Sequence, residues 1–541
     1  MTQWIWVVVL TRTSRRVSRL DAQTELPKVS FDARKQPNNS DGVPSSTPKD
    51  GGSDECRTSV PRIGHVTHLL GSVHGLIRSR VRVMWLVSHL LSILGFVLAL
   101  VLIARILRER RPPGSTLGWL VTIVMAPYVG VPLYLFFGGR KTRRLAARKK
   151  SLQLTAPTTS ARQDESAVQR ILRVAGMPDA TSGNHIELLA TGEASFQALM
   201  DLIRTAQVSI QIATFILGGD DTGRLVLDEL EKKAAGGVRV QLLLDGLFAI
   251  RSSRPGRRAL KKAGGEICYF MPILHLPFRG HSNLRNHRKI VVVDGHRGMI
   301  GGMNITQQDM GSTPFMGRWR DLSIRVEGSV VQHIEALFLA DWNFAMGRNI
   351  EPQRLPRVSQ ESRESSIQMV ASGPDVPGDA FYDGLLTALF EAKERIWIAT
   401  PYFVPDETLA CALVLAAKRG VDVRILVPAR ANHRVADLVA ASYMRQVRDA
   451  GGRLCLYRGG MMHAKVSIID SQLATVGSAN MDIRSLFLNY EIALFLYSRQ
   501  DIDRLSNWYE SVLAECDSKF PAPTAVRTLA EDLGRLLAPI A

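Results

Sequence analysis

Cysteine is scarce in this 541-residue sequence: only Cys56, Cys268, Cys411, Cys455 and Cys516 occur. So few thiols, so far apart, exclude a disulfide-stapled secreted scaffold. No CxxC pair is among them, which excludes a cysteine-type zinc site. Acidic side chains are also in deficit, with 50 Asp and Glu against 68 Lys and Arg, a net charge of +18. That deficit is local. Residues 1–150 hold 24 basic and 8 acidic side chains, leaving 44 and 42 for the rest. A body so close to neutral argues against nucleic acid as a partner. A basic segment flanking apolar runs suits an anionic lipid surface instead. The chain is 46% hydrophobic and 22% charged, so most of it can fold around apolar cores. Its length suits two or three domains.

Charge is absent from two runs near the N-terminus. Met84 to Ile103 (MWLVSHLLSILGFVLALVLI) and Leu117 to Phe137 (LGWLVTIVMAPYVGVPLYLFF) contain no Asp, Glu, Lys or Arg. Each is long enough to cross a hydrocarbon core of about 30 Å. The short link ARILRERRPPGST carries Pro112, Pro113 and Gly114 as turn formers. Residues 84–140 are therefore expected to form two transmembrane helices, the second kinked at Pro127, Gly130 and Pro132. The segment RKTRRLAARKK follows, with seven basic residues and no acid. It places the body on the cytoplasmic face of a cell membrane, as a multi-pass protein. The link itself carries Arg105, Arg108, Arg110 and Arg111, which weakens the contrast on which that rule depends. Residues 1–80 are rich in Ser, Thr, Asp and Pro and have no periodicity, so they are expected to be a disordered extension. An alternative start at Met84 would leave them untranslated.

Beyond residue 186 the sequence repeats itself. Phe196, Leu199, Met200 and Ile203 form a helical stripe, and Val208, Ile210 and Ile212 alternate as a strand. Leu385, Leu389 and Ala392, then Ile396 and Ile398, do the same. GGVRVQLLLD (236–245) matches RGVDVRILVP (419–428), and KKAGGEICYF (261–270) matches RDAGGRLCLY (448–457). Cys268 and Cys455 fall at equivalent strand positions, as small core residues. Two α/β units follow, over 186–349 and 373–541, after a basic linker at 141–185 and joined by a polar linker at 350–372.

Each unit contains H-x-K-x4-D: His287, Lys289 and Asp294 in the first, His463, Lys465 and Asp470 in the second. Each motif precedes a small-residue turn and an asparagine, Asn304 and Asn480. His and Lys two residues apart share one side of an extended chain. One copy thus offers a base or nucleophile, a fixed cation and a neutral donor, a set suited to phosphoryl oxygens. Lys is not a usual metal ligand and no further His or acid stands at ligand spacing, so no metal is expected. Asp294 and Asp470 follow four apolar residues, and their place is a turn at the strand end, as structural supports within the catalytic motif.

The paired motifs resemble those of the phospholipase D superfamily, and within it the bacterial cardiolipin synthases. RPPGSTLGWL and LYLFFGGRK around the second apolar run, TPYFVPD (400–406), GSANMDIRSLFLNYE (477–491) and the ending GRLLAPIA carry the closer likeness. It extends from about residue 84 to the C-terminus. The resemblance implies two α/β halves about a pseudo-twofold axis, with one active site between them. It implies transfer of a phosphatidyl group between two phosphatidylglycerol molecules, giving cardiolipin and glycerol without cofactor or metal, in contact with anionic phospholipids. It further implies His287 as nucleophile and His463 as acid/base, with the reverse assignment open. Lys289, Lys465, Asn304 and Asn480 would hold phosphate. Asp321, 34 residues after His287, and Glu491, 28 residues after His463, would each orient the imidazole of its own half. Tyr402 and Phe403 suit either a lipid entrance or the core.

The same motifs serve a hydrolase that releases phosphatidic acid, and a nuclease, which the near-neutral body disfavours. A catalytically silent membrane scaffold is the rival of a different class. It would have no reason to keep both His-Lys-Asn sets. The motifs do not fix the second substrate or the oligomeric state.

Overall fold

The alternating stretches of both repeat copies form strands, and the apolar stripes between them form helices. The computed structural model describes residues 93–107, 113–137, 165–271, 284–348, 365–432 and 434–520, with short pieces such as Lys149, Leu152, Leu154 and Thr155. The extension at 1–80 lies outside the described residues.

The first half supplies β1 (Thr181–Leu189), β2 (Ser209–Thr214), β3 (Arg239–Asp245), β4 (Glu266–Phe270), β5 (Ile290–Val293), β6 (Arg297–Gly301) and β7 (Ser323–Glu327). The second supplies β8 (Ser365–Ser372), β9 (Arg395–Ala399), β10 (Phe403–Val404), β11 (Asp422–Pro428), β12 (Arg453–Tyr457), β13 (Val466–Ile469), β14 (Leu473–Gly477), β15 (Met481–Asp482), β16 (Glu491–Leu496) and β17 (Cys516–Asp517). All but β10 and β15 join one mixed sheet in the order β17-β12-β11-β9-β13-β14-β16-β8-β1-β7-β6-β5-β2-β3-β4. Outward from the antiparallel β8–β1 pair the two halves run through equivalent strands. β2, β3 and β4 are parallel, as are β9, β11 and β12. The two cysteines keep their equivalence, Cys268 opposite Leu243 and Cys455 opposite Leu426.

Helices cover the sheet. The expected stripe forms helix Gly192–Thr205, whose first turn is capped by the Thr191 hydroxyl accepting the Ala194 N–H at 3.1 Å. Its counterpart is helix Ala380–Glu391. Phe196, Leu199, Leu202 and Ile203 are buried on the one, Leu385 and Leu389 on the other. Each such side chain contributes about 1.5–3 kcal/mol by leaving water.

Both expected linkers are partly structure. Ser365–Ser372, the end of the stretch taken as a linker, is β8, paired with β1 and β16 at the centre of the sheet. Its apolar residues Ile367, Met369, Val370 and Ala371 are buried; the polar lead before them hid the strand. Helix Ala167–Val174, within the stretch expected as basic linker, packs Leu172 against Gly384 of the second half.

The second apolar run also differs from expectation. Among the described residues of the N-terminal region lie α1 (93–107), α2 (Pro113–Met125) and α3 (Pro127–Phe137). α3 turns back on α2 instead of continuing it. The rings of Trp119 and Tyr134, fifteen residues apart in sequence, meet edge to face at 5.4 Å. The cause lies at Ala126–Pro127, where proline has no N–H to extend the α2 ladder. Ile106, Ile123, Val131 and Tyr134 form a small core among the three helices. Among the described residues no helix is both long and apolar enough to cross a membrane.

Candidate active site

The segment entering β5 carries His287 and Lys289, and the segment entering β13 carries His463 and Lys465. Both run extended just ahead of their strands, and each is bridged to the opposite half. Asn286 pairs with Tyr490, and Met462 with Arg320. The His287 N–H donates to Tyr490 O at 2.9 Å, and the His463 N–H to Arg320 O at 2.7 Å. Each histidine is thereby held on the seam between the halves.

That seam exchanges the carboxylates. Glu491 lies 2.9 Å from His287 Nδ1, and Asp321 lies 2.6 Å from His463 Nδ1. The spacing in sequence had attached each acid to the histidine of its own half; the structure attaches it to the other. The physical reason is the pair of bridges, which lays the chain just before each acid along the partner motif. Glu491 is further held by the Ser478 hydroxyl at 2.5 Å and the Asn489 amide at 3.2 Å. A side chain at Gly302, the position equivalent to Ser478, would collide with the Asp321 carboxylate.

The lysines lie beside the histidines. Lys289 Nζ donates to His287 O at 2.7 Å, and Lys465 Nζ sits 2.8 Å from His463 Nδ1 and 3.7 Å from Asp321. The amide nitrogens of Asn304 and Asn480 donate to Asp309, at 3.4 Å, and to Asp482. Their Oδ1 atoms are buried without a protein partner; since Oδ1 only accepts, the group left to meet a phosphoryl oxygen is the second N–H of each amide nitrogen. Phe215 and Trp319 stand against the two imidazoles at 4.8 and 4.7 Å.

Burial governs the charges. It pushes Lys289 down to about 7 against the pull of Glu491, and lowers Lys465 against Asp321 and Asp309. Burial also lowers His287, opposed by Glu491, and takes His463 well below the ordinary imidazole value, helped by Lys465. Asp321 is raised to about 6 by burial, with Lys465 pulling the other way. Burial opposes the charge of Glu491 too, but His287, Lys289 and its hydrogen bonds outweigh it and hold the carboxyl below its usual range.

Asp294 and Asp470 do turn work, as their place in the motif implied. Both have left-handed backbone, at φ 52° and 51°. Asp294 accepts the N–H groups of Gln207, Val208 and Ser209, the last two at 2.8 and 2.9 Å. Asp470 does the same for Lys393, Glu394 and Arg395. Each pins the start of a neighbouring strand, so neither carboxylate is available to a substrate. Phe403 is buried in β10, and Tyr402 donates to Asn432 Oδ1 at 2.5 Å.

Sequence reasoning missed several supports. Arg288, between His287 and Lys289, donates to both oxygens of Asp341 at 2.7 Å, to Glu491 O and to Ser372 O. Lys149 enters the same buried cluster, paired with Asp341 and, at 2.7 Å, with Asp375. Asp309, five residues after Asn304, lies 3.8 Å from His463 Nδ1. Asp309, Asp321 and His463 present three ligand atoms within 4.8 Å of one another. The Lys465 ammonium, 2.8 Å from the same nitrogen, already fills that place with positive charge, so the set does not suit a metal ion.

A family profile described as "Cardiolipin synthase, PLD-like domain" matches residues 199–342 and 385–513, and one described as "Phospholipase_D-nuclease N-terminal" matches residues 97–139. A cardiolipin synthase of Alkalihalophilus pseudofirmus is 33% identical over 478 residues, covering 84% of this chain and 94% of its own. Cardiolipin synthase 1 of Bacillus anthracis is 34% identical over 461 residues, covering 80% and 90%. Among solved structures, the phosphatidylserine synthase of Haemophilus influenzae Rd KW20 aligns with a TM-score of 0.53 at 16% identity, over 69% of this chain and 99% of that one. This last likeness concerns the fold. The two segments of the first profile fall on the halves that carry His287 and His463, and the chain belongs to the cardiolipin synthase family of phospholipase D-like enzymes.

Proposed function

We propose that this enzyme is a membrane-held phosphatidyltransferase that joins two phosphatidylglycerol molecules into cardiolipin and glycerol. The halves, related by a pseudo-twofold axis beside β1 and β8, share one site. The observation that carries the reading is the pair of imidazoles on the seam, each backed at Nδ1 by a buried carboxylate from the other half. Such a hydrogen bond leaves Nε2 for chemistry.

His287 attacks phosphorus through Nε2, and the bond from phosphorus to the headgroup glycerol oxygen breaks. His463, carrying a second proton at Nε2 that the bound phosphodiester anion favours as it does on the lysines, gives that oxygen its proton. The product of this step is a phosphatidyl-histidine. His463 then takes the proton from the headgroup hydroxyl of a second phosphatidylglycerol, whose oxygen attacks phosphorus as the bond to His287 breaks. Cardiolipin leaves, and both histidines return to their starting state. Lys289, Lys465, Asn304 and Asn480 hold the phosphoryl oxygens. The depressed lysines suit this role: an anionic phosphodiester entering their low-dielectric pocket restores their charge and is held by it. The enzyme sits in the bacterial cell membrane through residues 84–140, with the body at the cytoplasmic face. There the second lipid is abundant and water is scarce.

Purified enzyme incubated with phosphatidylglycerol labelled in its headgroup tests the reading. Cardiolipin and free glycerol are the expected products. Phosphatidic acid as the main product would overturn transfer in favour of hydrolysis.

A further inference from the structure

The run from Leu117 to Phe137 is apolar enough for lipid and yet does not form one span. α2 has 13 residues and α3 has 11, about 20 and 16 Å at 1.5 Å per residue, against the about 30 Å of a hydrocarbon core. Gly130 is what lets α3 lie back on α2: a side chain there would collide with the carbonyl of Thr122. Close backbone approach through a small residue is how helices pair within lipid. The break leaves little polar backbone open. Ala126 N–H donates to Thr122 O, Ala126 O accepts from Val129 and Gly130, and Pro127 has no N–H to satisfy. The Thr122 hydroxyl is satisfied by Gly118 O at 2.7 Å. Meanwhile Leu117, Val121, Val124, Met125, Tyr128 and Val129 face outward, each at least half exposed.

We propose that residues 113–137 form a re-entrant hairpin that enters the lipid and leaves it on the face where it began, so that both ends of the hairpin and the catalytic body share one side of the membrane. The charges then agree. Arg105, Arg108, Arg110 and Arg111 precede the hairpin, and seven Lys and Arg follow it within 140–150. With a crossing helix these two basic clusters would lie on opposite faces. With a re-entrant hairpin both lie on the cytoplasmic face, eleven basic residues against Arg78, Arg80 and Arg82 ahead of the first apolar run, the bias that the positive-inside rule favours. The occupant of the outward apolar surface is lipid acyl chain, and this inference rests on the membrane-held reading above.

The test uses the full chain in cell membranes. Cys411 is an exposed thiol of the body and marks its face. Arg110→Cys is added in a background where the other four cysteines are serine, and a membrane-impermeant maleimide is applied to sealed spheroplasts and to inverted vesicles. Cys411 and the thiol at position 110 should both label in inverted vesicles and both be protected in spheroplasts. Labelling of position 110 in spheroplasts, with Cys411 protected, would establish a crossing helix and overturn the hairpin. Labelling of both thiols in spheroplasts would keep the hairpin and reverse the cytoplasmic assignment. Release of the protein by alkaline carbonate would instead remove the membrane-held reading on which the hairpin stands.

Discussion

Glu491 and His287 belong to opposite halves of the chain, and 2.9 Å separates a carboxylate oxygen of the one from Nδ1 of the other. Asp321 stands to His463 in the same way from the reverse direction, at 2.6 Å. The crossing makes the two histidines a single unit. Neither half holds a complete His-carboxylate pair by itself.

The crossing predicts which variants behave alike. Asp321→Asn should mimic a defect at His463, and Glu491→Gln a defect at His287. Each loss should be about 10²–10⁴-fold in kcat with phosphatidylglycerol. A substrate with a good leaving group needs no proton from His463 in the first step, so it should restore release of that group to Asp321→Asn and not to Glu491→Gln. The opposite pattern would mean that each acid serves its own half.

A second prediction concerns pH. Burial brings Lys289 to about 7 in the free protein, and its charge is needed to bind phosphate. The sign follows: kcat/KM, which reports the free enzyme, should fall as pH rises through about 7. At saturating substrate the bound anion raises the lysine, so the alkaline limb of kcat should lie higher. Lipid binding at pH 7.5 should accordingly take up protons, measurable by calorimetry in buffers of different ionisation enthalpy. Proton release on binding would contradict the account.

Asp294→Asn and Asp470→Asn should behave as stability variants. Each carboxylate accepts three backbone N–H groups at the start of a neighbouring strand. Weakening those bonds should cost about 1–3 kcal/mol and lower the thermal midpoint. The leaving-group dependence of the surviving activity should stay that of the wild type. A change in that dependence would place these acids in the chemistry.

The buried cluster around Lys149 gives a further prediction. Lys149→Met leaves Asp341 and Asp375 with one cation fewer in a dry interior, which should cost about 3–5 kcal/mol. Adding Asp375→Asn should recover part of that loss, because it removes the carboxylate left unpaired. Thermal unfolding of the three proteins checks this. A double variant no more stable than the single one would contradict the pairing.

These residues differ in how legible they were in sequence. His287 and Lys289 could be placed together because residues i and i+2 of an extended chain share a side. Asp294 could be placed in a turn because a run of four apolar residues ends there. The partner of each histidine could not, since spacing along the chain is silent on which half an acid will face. Asp309 was hidden because its repeat counterpart is Ser485, so the comparison of copies that exposed Asn304 and Asn480 passed over it. Lys149 was lost in a basic run that reads as solvated. For Leu117 to Phe137 the apolar character was plain. The fold-back depended on Gly130 meeting Thr122, a contact between helices that composition does not encode.

The central claim is that phosphorus becomes bonded to His287, and acid quench followed by mass spectrometry tests it most directly. A phosphatidyl donor with a good leaving group should load His463→Ala enzyme with a phosphatidyl adduct, because the nucleophile is intact and nothing activates the second alcohol. The adduct should map to His287 and be absent from His287→Ala enzyme. An adduct on His463 in the His287→Ala protein would reverse the two roles. No adduct in either variant, while the wild type still forms product, would contradict the covalent route.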